Sequence, residues 1–250
     1  ADYSQFELRL AAVLAGDEKM INDFNAGTDI HAKTAAEVYK VPLDDVTKEQ
    51  RRKAKVVNFG VLYGMSQHGL AAAANTNYVE AQQFIDEYFR VRPNIRKYID
   101  DTVKKAHDDG FVETLFGRRR WTPDVKSSNF VVRQAAERAA ANMPIQGTEA
   151  DLMKMAMIEV DKRLASLSSR SASRPSSLEH SSGADGAADD ARREQSSSQP
   201  QQLLQIHDSI LIECPKDMAE KVSTMLVETM ENIYPKLGVR LQVDAHVGDN

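Results

Sequence analysis

From about Ser166 to Gln202 the chain reads SLSSRSASRPSSLEHSSGADGAADDARREQSSSQPQQ, dominated by Ser, Ala, Asp and Gln and nearly free of large apolar residues. A stretch of this kind cannot bury enough surface to offset the entropy of ordering it, so it is expected to be a disordered surface loop. A phosphorylatable or partner-binding segment is the other reading. Either way the core must be built from what lies on both sides. The two sides differ: the material before the segment carries helical periodicity, and the material after it carries short apolar runs of strand type.

On the helical side, Thr47-Lys48-Glu49-Gln50 fits a capping box, opening a helix through Arg51 to Tyr63 that stops near Gly64. Val79 to Arg90 and Asn94 to His107 read as helices meeting at Arg92-Pro93, where the proline marks a boundary. Phe111 to Leu115 and Arg119 to Trp121 flank Phe116-Gly117-Arg118 as a short β-hairpin. Helices are expected over Phe130 to Asn142 and Glu149 to Leu164, separated by Pro144 and Gly147. Beyond the Ser-rich segment, Leu203 to Ile206 and Ile210 to Glu213 read as two buried strands around a tight turn, His207-Asp208-Ser209. An amphipathic helix over Asp217 to Tyr234 follows, then Val239 to Val243 alternates like a closing strand. There is no internal repeat.

Composition excludes several classes. Hydrophobic residues at 42% and charged residues at 28% make an ordinary globular balance, and no stretch approaches the ~20 apolar residues needed to span a bilayer. The opening residues carry no mark of a secretory signal, and a cytoplasmic location is expected. The single cysteine, Cys214, rules out an internal disulfide framework and a cysteine-built zinc site. A net charge of −5 argues against wholesale coating by nucleic acid but not against a local basic face.

Four features could carry chemistry. Asp2 precedes an amphipathic helix for which Ser4 and Glu7 match a second capping box; Asp2 reads as a pre-helix turn residue or as a ligand. Asp208 sits among Leu204, Ile206, Ile210 and Ile212, where a carboxylate must be paired, metal-bound or lifted onto an exposed turn. Arg51, Lys55, Phe59 and Tyr63 recur every four residues, each step ~6 Å along a helix and ~40° around it, so they share one face. Two cations followed by two aromatics suit an anion beside a planar ring, or an ordinary helix with a solvated basic end and a core-facing aromatic end. Arg138, Asn142 and Gln146 repeat the spacing up to Pro144, which should distort the last turn; all three donate hydrogen bonds, as phosphate or base-edge recognition requires and as an exposed helix face also would. The run Gly117 to Trp121 adds a basic hairpin or a solvated turn. His31 and His107 read as surface or packing residues, because no spacing pairs either with another histidine.

Together these pieces resemble the C-terminal polymerase region of the family A DNA polymerases, the bacterial DNA polymerase I family. Asp2 to Arg9 is similar to motif A, Gln50 to Lys55 with Asn58-Phe59-Gly60 and Tyr63-Gly64 to motif B, and Gln205 to Asp208 to motif C. Asp29-Ile30-His31, Gly117-Arg118-Arg119, Pro123 to Asn129 and Gln146-Gly147-Thr148 match in the same order, so the likeness covers nearly everything except the Ser-rich segment.

The resemblance implies an α+β fold with mostly helical fingers inserted in a partial palm that carries a small antiparallel sheet. Its parts would be 1–15 palm with motif A, 16–126 fingers, 127–165 palm helices, 166–202 the disordered loop and 203–250 palm with motif C. It further implies template-directed DNA synthesis in replication or repair, by a monomer at the bacterial nucleoid, on primer-template DNA with deoxynucleoside triphosphates. Asp2 and Asp208 would bridge two Mg²⁺ ions, which requires the two ends of the chain to pair. Arg51, Lys55 and His31 would face the triphosphate, with Lys55 as proton donor to pyrophosphate. Phe59 and Tyr63 would line the sugar and base pocket, and Phe59 in place of tyrosine implies poor use of dideoxynucleotides. Glu7 would exclude ribonucleotides, Arg138, Asn142 and Gln146 would touch template and primer, and His207 would support the primer end. Ser209 stands where the family usually has glutamate, and the chain starts at motif A, so the thumb and the upstream palm are expected to lie outside it. A fragment that binds nucleotide or DNA without turnover is therefore the alternative.

Overall fold

The computed structural model describes residues 1–172 and 199–248, so most of the expected loop lies outside the described residues. Strands from opposite ends of the chain form one antiparallel sheet. Its members are β1 (Asp2–Tyr3), β4 (Gln201–Ile206), β5 (Ser209–Glu213) and β6 (Val243–Asp244), in the order β4-β5-β1-β6. The register places Asp2 opposite Ser209 on one side and opposite Asp244 on the other. Backbone bonds from Ile210 N to Ala1 O (2.9 Å) and from Tyr3 N to Asp208 O (3.1 Å) complete the seam. Tyr3 is buried, and its hydroxyl donates to Met230 O at 2.7 Å.

The described residues form two compact units. The first contains this sheet and is drawn from Ala1–Ser4, Leu152–Pro235 and Leu241–Asn250. The hairpin of β4 and β5 turns through His207 and Asp208, and His207 has φ 53°, a positive φ of the sort two-residue hairpin loops use. The two strands are less buried than their apolar runs suggest. Ile210 is 1% exposed, but Leu203, Leu204, Ile206 and Leu211 each keep half or more of their surface, since β4 is an edge strand and β5 alternates. The expected closing strand is short: only Val243–Asp244 pairs.

The second unit, Gln5–Asp151 with Lys236–Arg240, is helical apart from one hairpin. It holds α1 (Phe6–Ala15), α2 (Glu18–Asn25), α3 (Ile30–Tyr39), α4 (Lys48–Leu62), α5 (Gln67–Ala74), α6 (Tyr78–Val91) and α7 (Pro93–Asp109). The capping box at Thr47 and Gln50 forms on α4, and Pro93 takes the first position of α7. The second box is not seen at the start of α1: the N-cap is Gln5, with φ 55° and no side-chain cap hydrogen bond, and Ser4 N donates to Gln242 O at 2.8 Å. Arg240 N donates to Asn25 Oδ1 at 2.7 Å and Arg9 donates to Arg240 O at 2.6 Å, joining the returning segment to α1 and α2.

The helix break expected at Pro144 is also absent: α8 (Phe130–Ala172) runs through it. Pro144 removes one helical N–H, but Ala140, Ala141, Met143 and Ile145 are all buried around it, and Thr148 Oγ1 donates to Pro144 O at 2.6 Å. Packing outweighs the local penalty. Gly147 serves close approach: the hairpin of β2 (Phe111–Glu113) and β3 (Arg119–Trp121) lies against it, with Arg118 Nη2 donating to Gly147 O at 2.8 Å and Leu115 N to Thr148 Oγ1 at 2.9 Å. Val112, Val125, Ala106, Ala140 and Met143 form the core beneath. Among the described residues no helix is long and apolar enough to cross a membrane.

A Cβ at Gly147 would come 2.5 Å from Thr114 Cγ2. Gly147→Ala is therefore expected to lower stability by ~1 to 2 kcal/mol despite the better helix propensity of alanine. Thr114→Ser, which keeps the hydroxyl and removes the methyl, should restore most of that loss in the double variant. Urea midpoints of the three variants test the packing, and a Gly147→Ala midpoint above wild type would contradict it.

Candidate active site

Antiparallel pairing brings the two acidic residues of the opposite chain ends together. Asp208 lies on the β4–β5 turn, and Asp2 pairs with the next residue, Ser209. Asp208 titrates above the usual carboxylate range, first because burial penalises its charge, then because the Asp2 carboxylate repels it; the two side chains share a hydrogen bond. Asp208 is thus half-buried on an exposed turn, with a second carboxyl in contact, and not enclosed by aliphatic strands. Two carboxyls in this arrangement are a natural donor set for a hard divalent cation, which would relieve their repulsion and still keep positions open for water or phosphate oxygen. Among the described residues no group of three or more His, Cys, Asp or Glu is arranged to hold a metal. Asp244, opposite Asp2 on β6, is a neighbour that the sequence offered no reason to select. Ser209 Oγ donates to Ile206 O at 2.8 Å, and His207 is exposed with its carbonyl accepting from Gln205.

In the helical unit, the face of α4 is graded. Arg51 and Lys55 are exposed, Phe59 and Tyr63 partly buried. Arg51 Nε donates to Asp29 Oδ2 at 2.6 Å, while Asp29 Oδ1 caps α3 by accepting from His31 N and Ala32 N. Burial alone would raise the Asp29 pKa, but Arg51 and these N–H groups hold it below its usual value. Lys55 makes no ion pair among the described residues. Tyr63, at the C-terminal end of α4, donates its hydroxyl hydrogen bond to the Glu7 carboxylate. Glu7 is thereby engaged by a side chain from α4's C-terminal end, across the unit.

His31 is 2% exposed, buried among α3 and α4. Its Nδ1 lies 2.9 Å from Asn58 Nδ2, and its ring lies 5.7 Å from Phe59 at 46°. Burial lowers its pKa to about 4; the Asp29 carboxylate opposes the shift, and Arg51 and Lys55 add to it. The ring is neutral at physiological pH, so it can offer only a neutral hydrogen bond to an anion.

Arg138, Asn142 and Gln146 lie on one uninterrupted stretch of α8. Arg138 is exposed with its stem against Gly64, where a Cβ would come 2.9 Å from Arg138 Cγ and Cδ; the φ of +66° at Gly64 also favours glycine. Asn142 Oδ1 is buried with no hydrogen-bond partner among the described residues, an acceptor open to a donor group. Gln146 is exposed. In the hairpin, Arg118 is committed to Gly147 and to Asp151 (2.9 Å), Arg119 stacks 4.3 Å over Phe111, and Arg120 is exposed. His107 pairs with Glu137 at 2.9 Å, a packing role.

The model of DNA polymerase family A matches residues 1–250. The thermostable DNA polymerase I of Thermus aquaticus is 43% identical over 249 residues, 100% of this chain and 26% of that protein. DNA polymerase I of Deinococcus radiodurans is 44% identical over 250 residues, 100% of this chain and 23% of that protein. Among solved structures, the POL domain of Pol1 from M. smegmatis, in complex with DNA primer-template and dNTP, matches with a TM-score of 0.76 and 36% identity over 96% of this chain and 37% of that one. The chain spans about a quarter of the length of these curated relatives.

The buried neutral state of His31 has a consequence for stability. Its folded pKa of about 4 lies below the ordinary 6.5, so its contribution is complete above pH 6.5 and is lost as the pH falls toward 4. Urea unfolding across that window should show a steeper loss in the wild type than in His31→Gln, and parallel curves would show that the imidazole titrates normally.

Proposed function

Because the chain belongs to DNA polymerase family A, we propose that it is the palm-and-fingers catalytic region of a template-directed DNA polymerase, extending a primer 3′-hydroxyl with deoxynucleotides and releasing pyrophosphate. The observation that carries the proposal is the contact between Asp2 and Asp208, made by pairing of strands from opposite ends of the chain. In this reading the sheet with motifs A and C is palm, and residues 16–126 are fingers. Two Mg²⁺ ions at these carboxylates would activate the primer hydroxyl and stabilise charge on the departing pyrophosphate.

The protein's own groups then divide the remaining work. Arg51 and Lys55 neutralise the triphosphate, and Lys55 gives a proton to the leaving pyrophosphate. Arg51 is drawn from its ion pair with Asp29, which is half-exposed and weakly held in solvent. Phe59 and Tyr63 line the sugar and base pocket. Glu7, held by Tyr63, occupies the space beside the sugar 2′ position. Arg138, Asn142 and Gln146 contact primer and template, and His207 supports the primer end. Binding to the phosphate backbone should weaken steeply with salt.

Primer extension with Mg²⁺, by this chain alone and joined to the remaining segments of a relative, tests the proposal. Asp2→Asn and Asp208→Asn should each reduce extension by ~10³-fold or more with nucleotide binding largely kept. Nucleotide and DNA binding without extension in either form would instead establish a binding fragment.

Glu7 supplies a second test. Glu7→Ala should raise the kcat/KM ratio of ribonucleotide to deoxyribonucleotide by ~10- to 100-fold, whereas Glu7→Gln, similar in size and able to accept from Tyr63, should preserve most of the discrimination. An unchanged ratio in Glu7→Ala would reject the sugar gate.

A further inference from the structure

Arg92 sits at the junction of α6 and α7, 0% exposed, where a guanidinium must be paired to be tolerated. Its Nη2 lies 3.2 Å from Glu37 Oε2, and Glu37 Oε1 lies 2.6 Å from Lys19 Nζ. The same Nη2 donates to Thr34 Oγ1 at 3.3 Å. Thr34 Oγ1 donates onward to Asn58 Oδ1 at 3.2 Å, and Asn58 Nδ2 faces His31 Nδ1 at 2.9 Å. Thr34 and Asn58 are both 0% exposed, so no solvent can reverse an individual link.

The chemistry of the first member gives this chain a direction. Arginine has five N–H donors, no acceptor and no accessible neutral form. It therefore fills a lone pair of the Thr34 hydroxyl and turns that hydroxyl's proton toward Asn58 Oδ1. With its oxygen so engaged, the Asn58 amide presents NH₂ to His31, and Nδ1 must be the unprotonated nitrogen. The reversed chain would aim two N–H groups at the hydroxyl and leave its proton without an acceptor in the network.

We propose that Arg92 is a positioning residue which, through Thr34 and Asn58, fixes His31 as the neutral tautomer protonated on Nε2. Among the described residues Nε2 has no hydrogen-bond partner. In the polymerase reading, on which this last step alone rests, that N–H is a preset donor for a phosphate oxygen of the incoming nucleotide, while Arg51 and Lys55 carry the charge. Arg92 thereby acts on the nucleotide site from a different helix junction without touching it.

Nitrogen-15 correlation spectra of the histidine rings in this chain at neutral pH test the inference without requiring turnover. The wild type should show His31 with unprotonated Nδ1 and protonated Nε2, the other tautomer below about one part in ten, a bias a single buried hydrogen bond can sustain. Arg92→Met and Thr34→Val should each raise the Nδ1–H form several-fold. Asn58→Asp, which can only accept, should put a proton on Nδ1. If Arg92→Met fails to fold, Thr34→Val, nearly identical in shape, decides alone. A wild-type ring protonated on Nδ1, a folded Arg92→Met or Thr34→Val that keeps the single wild-type tautomer, or an Asn58→Asp ring with bare Nδ1 would each overturn the proposal. Failure of primer extension with the tautomer shifts intact would instead sink the polymerase reading and leave the relay standing.

Discussion

The hydrogen bonds that hold β1 between β5 and β6 set the positions of Asp2 and Asp208, on which the proposed chemistry depends. β1 and β6 contribute only two residues apiece, so their part of the sheet has little intrinsic stability as isolated ribbon. Bonds to the neighbouring helix anchor it: the buried Tyr3 hydroxyl donates to Met230 O, and Val243 N donates to the half-buried Glu231 Oε1 at 3.1 Å. Register matters because a slip of one residue would turn Asp2 to the opposite face of the sheet and separate it from Asp208. The repulsion between the two carboxyls opposes the arrangement, and strand pairing holds them together against it.

The helical unit solves a different problem, presenting cations to solvent from a helix whose other face is core. Charge is graded along α4, and α3 is fastened to it at successive levels by Asp29 with Arg51, His31 with Phe59, and Thr34 with Asn58. Polar links inside a core restrict how two helices can slide, since each displaced partner would be left buried and unsatisfied. The orientation of the basic face thus depends in part on groups, Thr34, Asn58 and His31, that are buried beneath it.

Features set by neighbouring residues were legible in the sequence. The Thr47–Gln50 box, the Pro93 boundary and the hairpin around Gly117 each formed as their local chemistry dictates. Where tertiary packing competes with local preference, reading failed. Ser4 and Glu7 have the right spacing for a cap, but α1 starts one residue later, after a left-handed Gln5, and Glu7 accepts a hydrogen bond from Tyr63 that local spacing could not announce. Pro144 carries a strong local signal for a break that the buried residues around it override. The apolar runs of β4 and β5 suggested burial that the edge strand β4 does not provide and that β5, alternating between its faces, provides only in part. Among candidate site residues, the meeting of Asp2 and Asp208 could be anticipated because pairing of the chain ends was a requirement of the motif order. Arg92 was visible only as the residue before a proline; its link to His31 joins helices far apart in sequence and leaves no periodic trace.

The sheet order also bears on the birth of the molecule. Asp2 is made roughly two hundred residues before Ser209, so at ribosomal speeds of ~5–20 residues per second β1 waits about 10–40 s for its partners. During that interval the helices of the second unit can form from largely local contacts, while the strand that bears the first carboxylate waits for β5 and β6. The assembly of Asp2 beside Asp208 therefore follows synthesis of the helical unit, and a nascent chain released before β5 has emerged would have its basic helix face built but its acidic pair incomplete.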